Sequence, residues 1–336
     1  MAEIVLGVGT SHSPMLSLAP EHWDIRTQAD MDAPAHPHRG KWYSFDELLE
    51  IQPREHYRDL NRIEVREERY ARCQVGLDAL ADAFAEAKPD VLVIIGDDQK
   101  ELFLEDVQPA FAVSYGDKVM ANGFDADNPG DVPEPMIPVR QSYRPPEDRD
   151  YAVETALADR IIGQAMADGF DVAASARQPV GPEGEIGIGH AFIFVYRRIL
   201  KDRPVPMVPV FINTYYPPNQ PTAKRCYDFG RLIGRAIKGW NSDARVAVAA
   251  SGGLTHFVID EELDLRLLDA MQKADAAALT ADPNSAFQSG TSEIKNWIAA
   301  AGAMAEAGLG MNLVDYVPCY RSEAGTGTAM AFATWS

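Results

Sequence analysis

Several short stretches of this chain carry side chains able to do acid–base or metal chemistry. His12 stands in Thr10-Ser11-His12-Ser13-Pro14, and His256 closes Ser251-Gly252-Gly253-Leu254-Thr255-His256. His190 follows the glycine-rich Gly187-Ile188-Gly189. Asp97-Asp98-Gln99 and Tyr215-Tyr216-Pro217-Pro218 form two further polar clusters. An imidazole titrates near neutral pH and binds metal through a ring nitrogen, so His12 reads as a metal ligand or a base and His256 as a base. Asp97 and Asp98 could ligate metal or orient a histidine. Each residue also has a plainer reading. His12 could simply bond backbone at a strand end, His256 could be a turn histidine, and His190 a capping or buried neutral one. Aspartates are common where a strand enters a turn. Glu293 opens the helical pattern 292–307, where an acid stabilises the helix dipole; spacing alone does not single it out. His22, His36, His38 and His56 read as surface or cover residues, with His36 and His38 able to reach the site.

The elements that would position these groups are legible as hydrophobic patterns. Short Val/Ile-rich runs at 3–9, 90–96, 109–114, 206–213 and 245–250 end at Gly, Asp, Ser or Asn and read as buried strands. Helical periodicity covers 67–87, 150–168, 191–201, 221–238, 262–280 and 292–307. This alternation predicts an α/β fold, with a central, mainly parallel or mixed sheet flanked by helices. In such sheets, ligands bind outside the carboxyl ends of the strands. If the strands run parallel, His12, Asp97, Asp98, Tyr215, Tyr216 and His256 gather at one edge. Segments 14–62 and 117–149 break the rhythm. They read as irregular lid or loop insertions in one catalytic domain over 1–336, with a short helix near 45–51.

Composition narrows the function. Lys+Arg 31 against Asp+Glu 50 gives a net charge of −19, which repels nucleic acid and anionic membrane surfaces alike. With 46% hydrophobic and 24% charged residues, the chain reads as an ordinary soluble globular protein. No apolar run is long enough to span a bilayer. Cys73, Cys226 and Cys319 lie far apart, which suits a reducing compartment, so a cytoplasmic location is expected. No phosphate-binding loop and no GxSxG elbow competes with the strand-end cluster.

In order along the chain, several pieces resemble the class III extradiol ring-cleavage dioxygenases. The nearest group is the catalytic subunit of protocatechuate 4,5-dioxygenase and its gallate and 3-O-methylgallate relatives. The pieces are Gly7-Val8-Gly9-Thr10-Ser11-His12-Ser13-Pro14, Gly189-His190, Asn213-Thr214-Tyr215-Tyr216-Pro217-Pro218 running to Lys224-Arg225-Cys226, Ser251–His256, Ser292–Trp297 and Thr326–Met330. The resemblance implies a mononuclear non-haem Fe(II) held by two histidines and a glutamate, with positions left for a catecholate and O₂. His12 matches the first histidine ligand and Glu293 the glutamate. His256 matches the acid/base histidine, and His190 a second histidine near the substrate. Tyr215, Tyr216, Lys224 and Arg225 are the expected substrate contacts, the two cations for a carboxylate.

One position departs from the family. Where it carries Asn-Asp-His, with the histidine as second ligand, this chain reads Asp97-Asp98-Gln99. Gln99 could ligate through its carbonyl, Asp98 or Asp97 could substitute, or His36 or His38 could restore a nitrogen. The expected partners are a small aromatic acid and O₂, together with a second copy, since relatives form homodimers. The small helical subunit of the protocatechuate enzyme has no counterpart visible here. Two other readings stay open: a Zn²⁺ or Mn²⁺ hydrolase, and a non-catalytic relative that binds an aromatic acid.

Overall fold

The computed structural model describes residues 1–179 and 187–336. Its strands are β1 (Glu3–Thr10), β2 (His36–His38), β3 (Lys41–Tyr43), β4 (Val91–Gly96), β5 (Phe111–Ser114), β6 (Lys118–Ala121), β7 (Arg149–Ala152), β8 (Ala173–Ser175), β9 (Met207–Ile212), β10 (Arg245–Ser251), β11 (His256–Val258), β12 (Met311–Tyr320) and β13 (Thr326–Trp335). The helices are α1 (Asp24–Asp32), α2 (Phe45–Ile51), α3 (Arg54–Leu60), α4 (Ile63–Ala87), α5 (Ile137–Tyr143), α6 (Thr155–Ala167), α7 (His190–Phe194), α8 (Ala223–Lys238), α9 (Glu261–Gln272), α10 (Ala276–Leu279) and α11 (Ile294–Ala307).

The fold is α/β, with a mixed nine-stranded sheet in the order β11-β13-β1-β10-β4-β9-β5-β8 and β12 paired to β13. Its centre, β1-β10-β4-β9, is parallel. These four strands are almost wholly buried because helices cover both faces, which is why they read as continuous apolar runs. β5 lies antiparallel to β9, and β13 antiparallel to β1, β11 and β12, so the sheet is mixed.

Parallel packing brings the ends of β1, β4 and β10 to one edge. α11 seals that edge from one side. It is buried along nearly its whole length, as a helix apolar on every face must be. Its first turn therefore sits beside the strand ends.

The segment 14–62 is more regular than its composition suggests. It holds α1, β2, β3 and α3 besides the expected helix at 45–51. α1 and α3 are rich in charge and bury at most Asp30, so neither shows an apolar stripe to read. Within 117–149, α5 packs on α7 and brings Tyr143 inward.

Candidate active site

A cavity of about 270 Å³ opens at this edge, lined by His12, Gln99, His190, His256 and Glu293 together with Arg26, Tyr143 and Arg321. β1 delivers His12, the exit of β4 delivers Asp97 and Gln99, and the Gly252-Gly253 turn after β10 delivers His256. The turn before α11 delivers Glu293.

The three histidines share one device. His12 Nδ1 lies 2.9 Å from Ser251 Oγ, which spends its own proton on Ala191 O at 2.6 Å. The hydroxyl must therefore accept, and His12 carries its proton on Nδ1. His256 Nδ1 donates to Leu254 O at 2.8 Å, and His190 Nδ1 donates to Glu101 Oε2 at 2.9 Å. Each ring leaves Nε2 for other work, and the anchor sets the tautomer. Two glycines seat the His256 ring. A Cβ at Gly290 would lie 2.2 Å from its Cδ2, and one at Gly253 would lie 2.9 Å from its Nδ1. The ring is thus held between two backbone surfaces that tolerate no side chain.

Glu293 is the hub. Its Oε2 accepts Gly253 N–H at 2.7 Å and lies 3.3 Å from His12 Nε2. Its Oε1 lies 3.4 Å from His256 Nε2 and accepts Gln99 Nε2 at 3.1 Å. Burial alone would raise the Glu293 pKa, but His256 and His12 hold it well below the usual carboxylate range. Beside it, buried Asp97 accepts Asn296 Nδ2 at 3.1 Å. Desolvation and the Glu293 charge push Asp97 up to about 6, against the opposing pull of His12 and His190.

The donor set fits a divalent cation. His12 Nε2 is buried and makes no hydrogen bond. With Nδ1 already protonated, the contact of Nε2 with Glu293 Oε2 is favourable only when Nε2 carries a proton or a metal ion lies between the two atoms. Ligand atoms of His12, Asp97 and Glu293 all lie within 4.8 Å of one another. Turned over, the Gln99 amide would present its carbonyl oxygen to the same point.

Gln99, His12, Glu293, His190 and His256 thus converge as expected. The structure does not bring the other expected residues to the cavity. Asp98 accepts Leu102 N–H and Phe103 N–H through its two oxygens and caps a turn, so the aspartate facing His12 is Asp97. His36 bonds Asp30 O at 2.8 Å, and His38 faces Gln52, so neither supplies a nitrogen. Lys224 pairs with Asp228 at 2.5 Å, and Arg225 stacks on Phe170 at 4.6 Å. α8 buries Cys226, Phe229, Leu232 and Ile233, which turns both cations away from the cavity. Tyr215 bonds Ser289 Oγ at 3.0 Å, and Tyr216 lines a neighbouring pocket with Asp98 and Phe103. Conversely, sequence reading passed over Arg26, Glu101, Tyr143 and Arg321, because no local pattern marks them.

Comparison with known proteins decides the family. A family model described as the catalytic LigB subunit of aromatic ring-opening dioxygenase matches residues 64–331. The chain belongs to the LigB family. Among curated relatives, gallate dioxygenase of Pseudomonas putida is 33% identical over 127 residues, 34% of this chain and 35% of that protein. A 2,3-dihydroxyphenylpropionate/2,3-dihydroxicinnamic acid 1,2-dioxygenase of Burkholderia vietnamiensis is 28% identical over 289 residues, covering 70% of this chain and 80% of the relative. Its namesake in Paraburkholderia phymatum is 31% identical, covering 67% and 58%. The aligned part thus spans about a third of the gallate enzyme. Against the pattern the family resemblance implies, this LigB chain differs at the metal edge itself, with Asp97 and Gln99 in place of asparagine and histidine.

Proposed function

We propose that this chain is a non-haem, Fe(II)-dependent extradiol dioxygenase that opens the ring of a catechol-type aromatic acid with O₂. The protocatechuate, gallate and 3-O-methylgallate class is the substrate we favour. The buried Nε2 of His12, clustered with Glu293 and Asp97, carries this reading, because the three groups together call for a positive charge where the family has a metal. His12, Glu293 and Asp97 would hold the ion, with the Gln99 carbonyl beside them. When bound, the ion lowers the pKa of a coordinated hydroxyl and mediates electron transfer from the diol to O₂.

The protein's own groups do the rest. His256 Nε2 accepts a proton from a diol hydroxyl, stores it while Leu254 O steadies Nδ1, and returns it to the departing oxygen. Burial works against a charged His190, but Glu101 outweighs it and raises its pKa to about 10. At neutral pH His190 is therefore an imidazolium that hydrogen-bonds an anionic substrate oxygen. Tyr143 donates to His12 O at 2.5 Å, and with Pro14 and Phe257 it lines the cavity. Cavities of about 150 Å³ take up a benzene. A cavity of about 270 Å³ admits a ring bearing a carboxylate.

The donor set supports a second reading. One imidazole among carboxylate and amide oxygens suits Mn²⁺ as well as Fe(II), and with Zn²⁺ or Mn²⁺ such a site activates water for hydrolysis. Elemental analysis of anaerobically purified protein separates the two. Iron near one per chain supports the dioxygenase; zinc with hydrolytic turnover sinks it. Gln99→His should then tighten Fe(II) binding by about tenfold or more, since imidazole replaces an amide oxygen. Unchanged affinity would remove Gln99 from the metal.

A further inference from the structure

We infer that Arg26 is the receptor for the carboxylate of the substrate; this rests on the reading of the site as one for an aromatic acid. The cavity wall offers two guanidinium groups, Arg26 and Arg321. Arg321 is spent. Its Nε and Nη2 each lie 2.7 Å from an oxygen of Asp30, and both side chains are almost fully buried. Arg26 is different. Among the described residues its guanidinium forms no hydrogen bond or ion pair, although it lines the cavity. Asp30, the nearby acid, already gives both oxygens to Arg321.

Other cations are committed or misplaced. Lys100 pairs with Glu105 and lies over the Tyr216 ring. Arg140 and Arg144 line an adjoining cavity that shares Glu101, Tyr143 and His190 with this one. The α8 cations face away. His190 gives Nδ1 to Glu101 and keeps only Nε2, a single donor already assigned to a substrate oxygen.

Burial and the charge of Arg321 lower the Arg26 pKa, so the guanidinium is held in a setting that disfavours its charge. An arriving carboxylate relieves both penalties. A planar guanidinium also matches a carboxylate with two parallel hydrogen bonds. Together with the diol-binding edge, this defines the substrate class: a vicinal diol at one end and a carboxylate within reach of Arg26. The residue sits on α1, ahead of the stretch that the family model matches. Selection for the acid therefore belongs to the cover of the site.

The test uses anaerobic calorimetric titration of the metal-loaded protein with protocatechuate, 4-methylcatechol and benzoate. Arg26→Gln should weaken protocatechuate and benzoate by about ten- to a hundredfold and leave 4-methylcatechol within about twofold. Arg26→Lys should recover part of the loss. Equal losses for all three ligands, or no loss, would overturn the inference. Benzoate separates it from the dioxygenase reading. If the wild type ignores both diols yet binds benzoate through Arg26, the receptor stands and the ring-cleavage reading falls. Turnover of protocatechuate with no effect of Arg26→Gln on its binding does the reverse.

Discussion

Three imidazoles reach the cavity by giving their Nδ1 protons to fixed acceptors, and what distinguishes them is what faces Nε2. His12 Nε2 is deeply buried against Glu293 and suits a cation. His256 Nε2 faces the other oxygen of Glu293 at 3.4 Å. His190 is charged by Glu101. On the proposed function, what faces Nε2, and not the shared Nδ1 anchor, gives metal holding to one ring and proton transfer to another. His256→Ala should therefore nearly abolish turnover, by about 10²- to 10⁴-fold, while metal content stays near that of the wild type. Near-normal turnover would remove His256 from proton transfer. The choice between Asp97 and Asp98 shows what spacing cannot supply. Adjacent residues leaving a strand point opposite ways. Only the register of β4 between β10 and β9 turns Asp97 toward Asn296 and Glu293 and leaves Asp98 to cap the next turn.

Elements fix these directions. The parallel strands were legible because burial on both faces demands continuous Val and Ile, and their carboxyl ends gather the site residues as an α/β sheet requires. The hairpin of β12 and β13 was not legible. β13 is buried on both faces yet rich in alanine and threonine, and β12 mixes polar and apolar residues with a proline, so neither shows a clear period of two. That hairpin matters, since β13 pairs with β11 and holds His256 opposite Thr328. α9 is tied to the same corner through Asp264, which accepts Thr255 N–H at 2.9 Å, Thr255 Oγ at 2.6 Å and Tyr316 OH at 2.9 Å. Burial raises the Asp264 pKa to about 7, against the opposing pull of those donors. A raised folded-state pKa contributes stability that is present below the unfolded value and is lost as pH rises through about 7. The contribution of Asp264 to thermal stability should therefore fall between about pH 4 and pH 7, with a slope from this group of at most about 1.4 kcal/mol per pH unit. Asp264→Asn should flatten that profile in thermal melts. An unchanged slope would show that Asp264 does not titrate there.

For the molecule as a whole, a charge of −19 sets a problem for an anionic substrate. The sequence suggested Lys224 and Arg225 as the local remedy, because they follow the Tyr-Pro-Pro stretch. Packing turns them outward and supplies Arg26 from α1, inside the segment that reads from sequence as an irregular insertion. Long-range tertiary placement, invisible to local pattern, decides which cation meets the cavity. Among the described residues, no helix is long and apolar enough to cross a membrane. On the proposed function, this cavity joins a diol-bearing aromatic acid to O₂. An oxygen electrode tests it most directly, with anaerobically prepared, Fe(II)-loaded protein offered protocatechuate, gallate and 3-O-methylgallate in turn. One O₂ should be consumed per ring opened with at least one of these acids, and chelation should abolish the uptake. No uptake with any of the three, from protein that holds its iron, would contradict it.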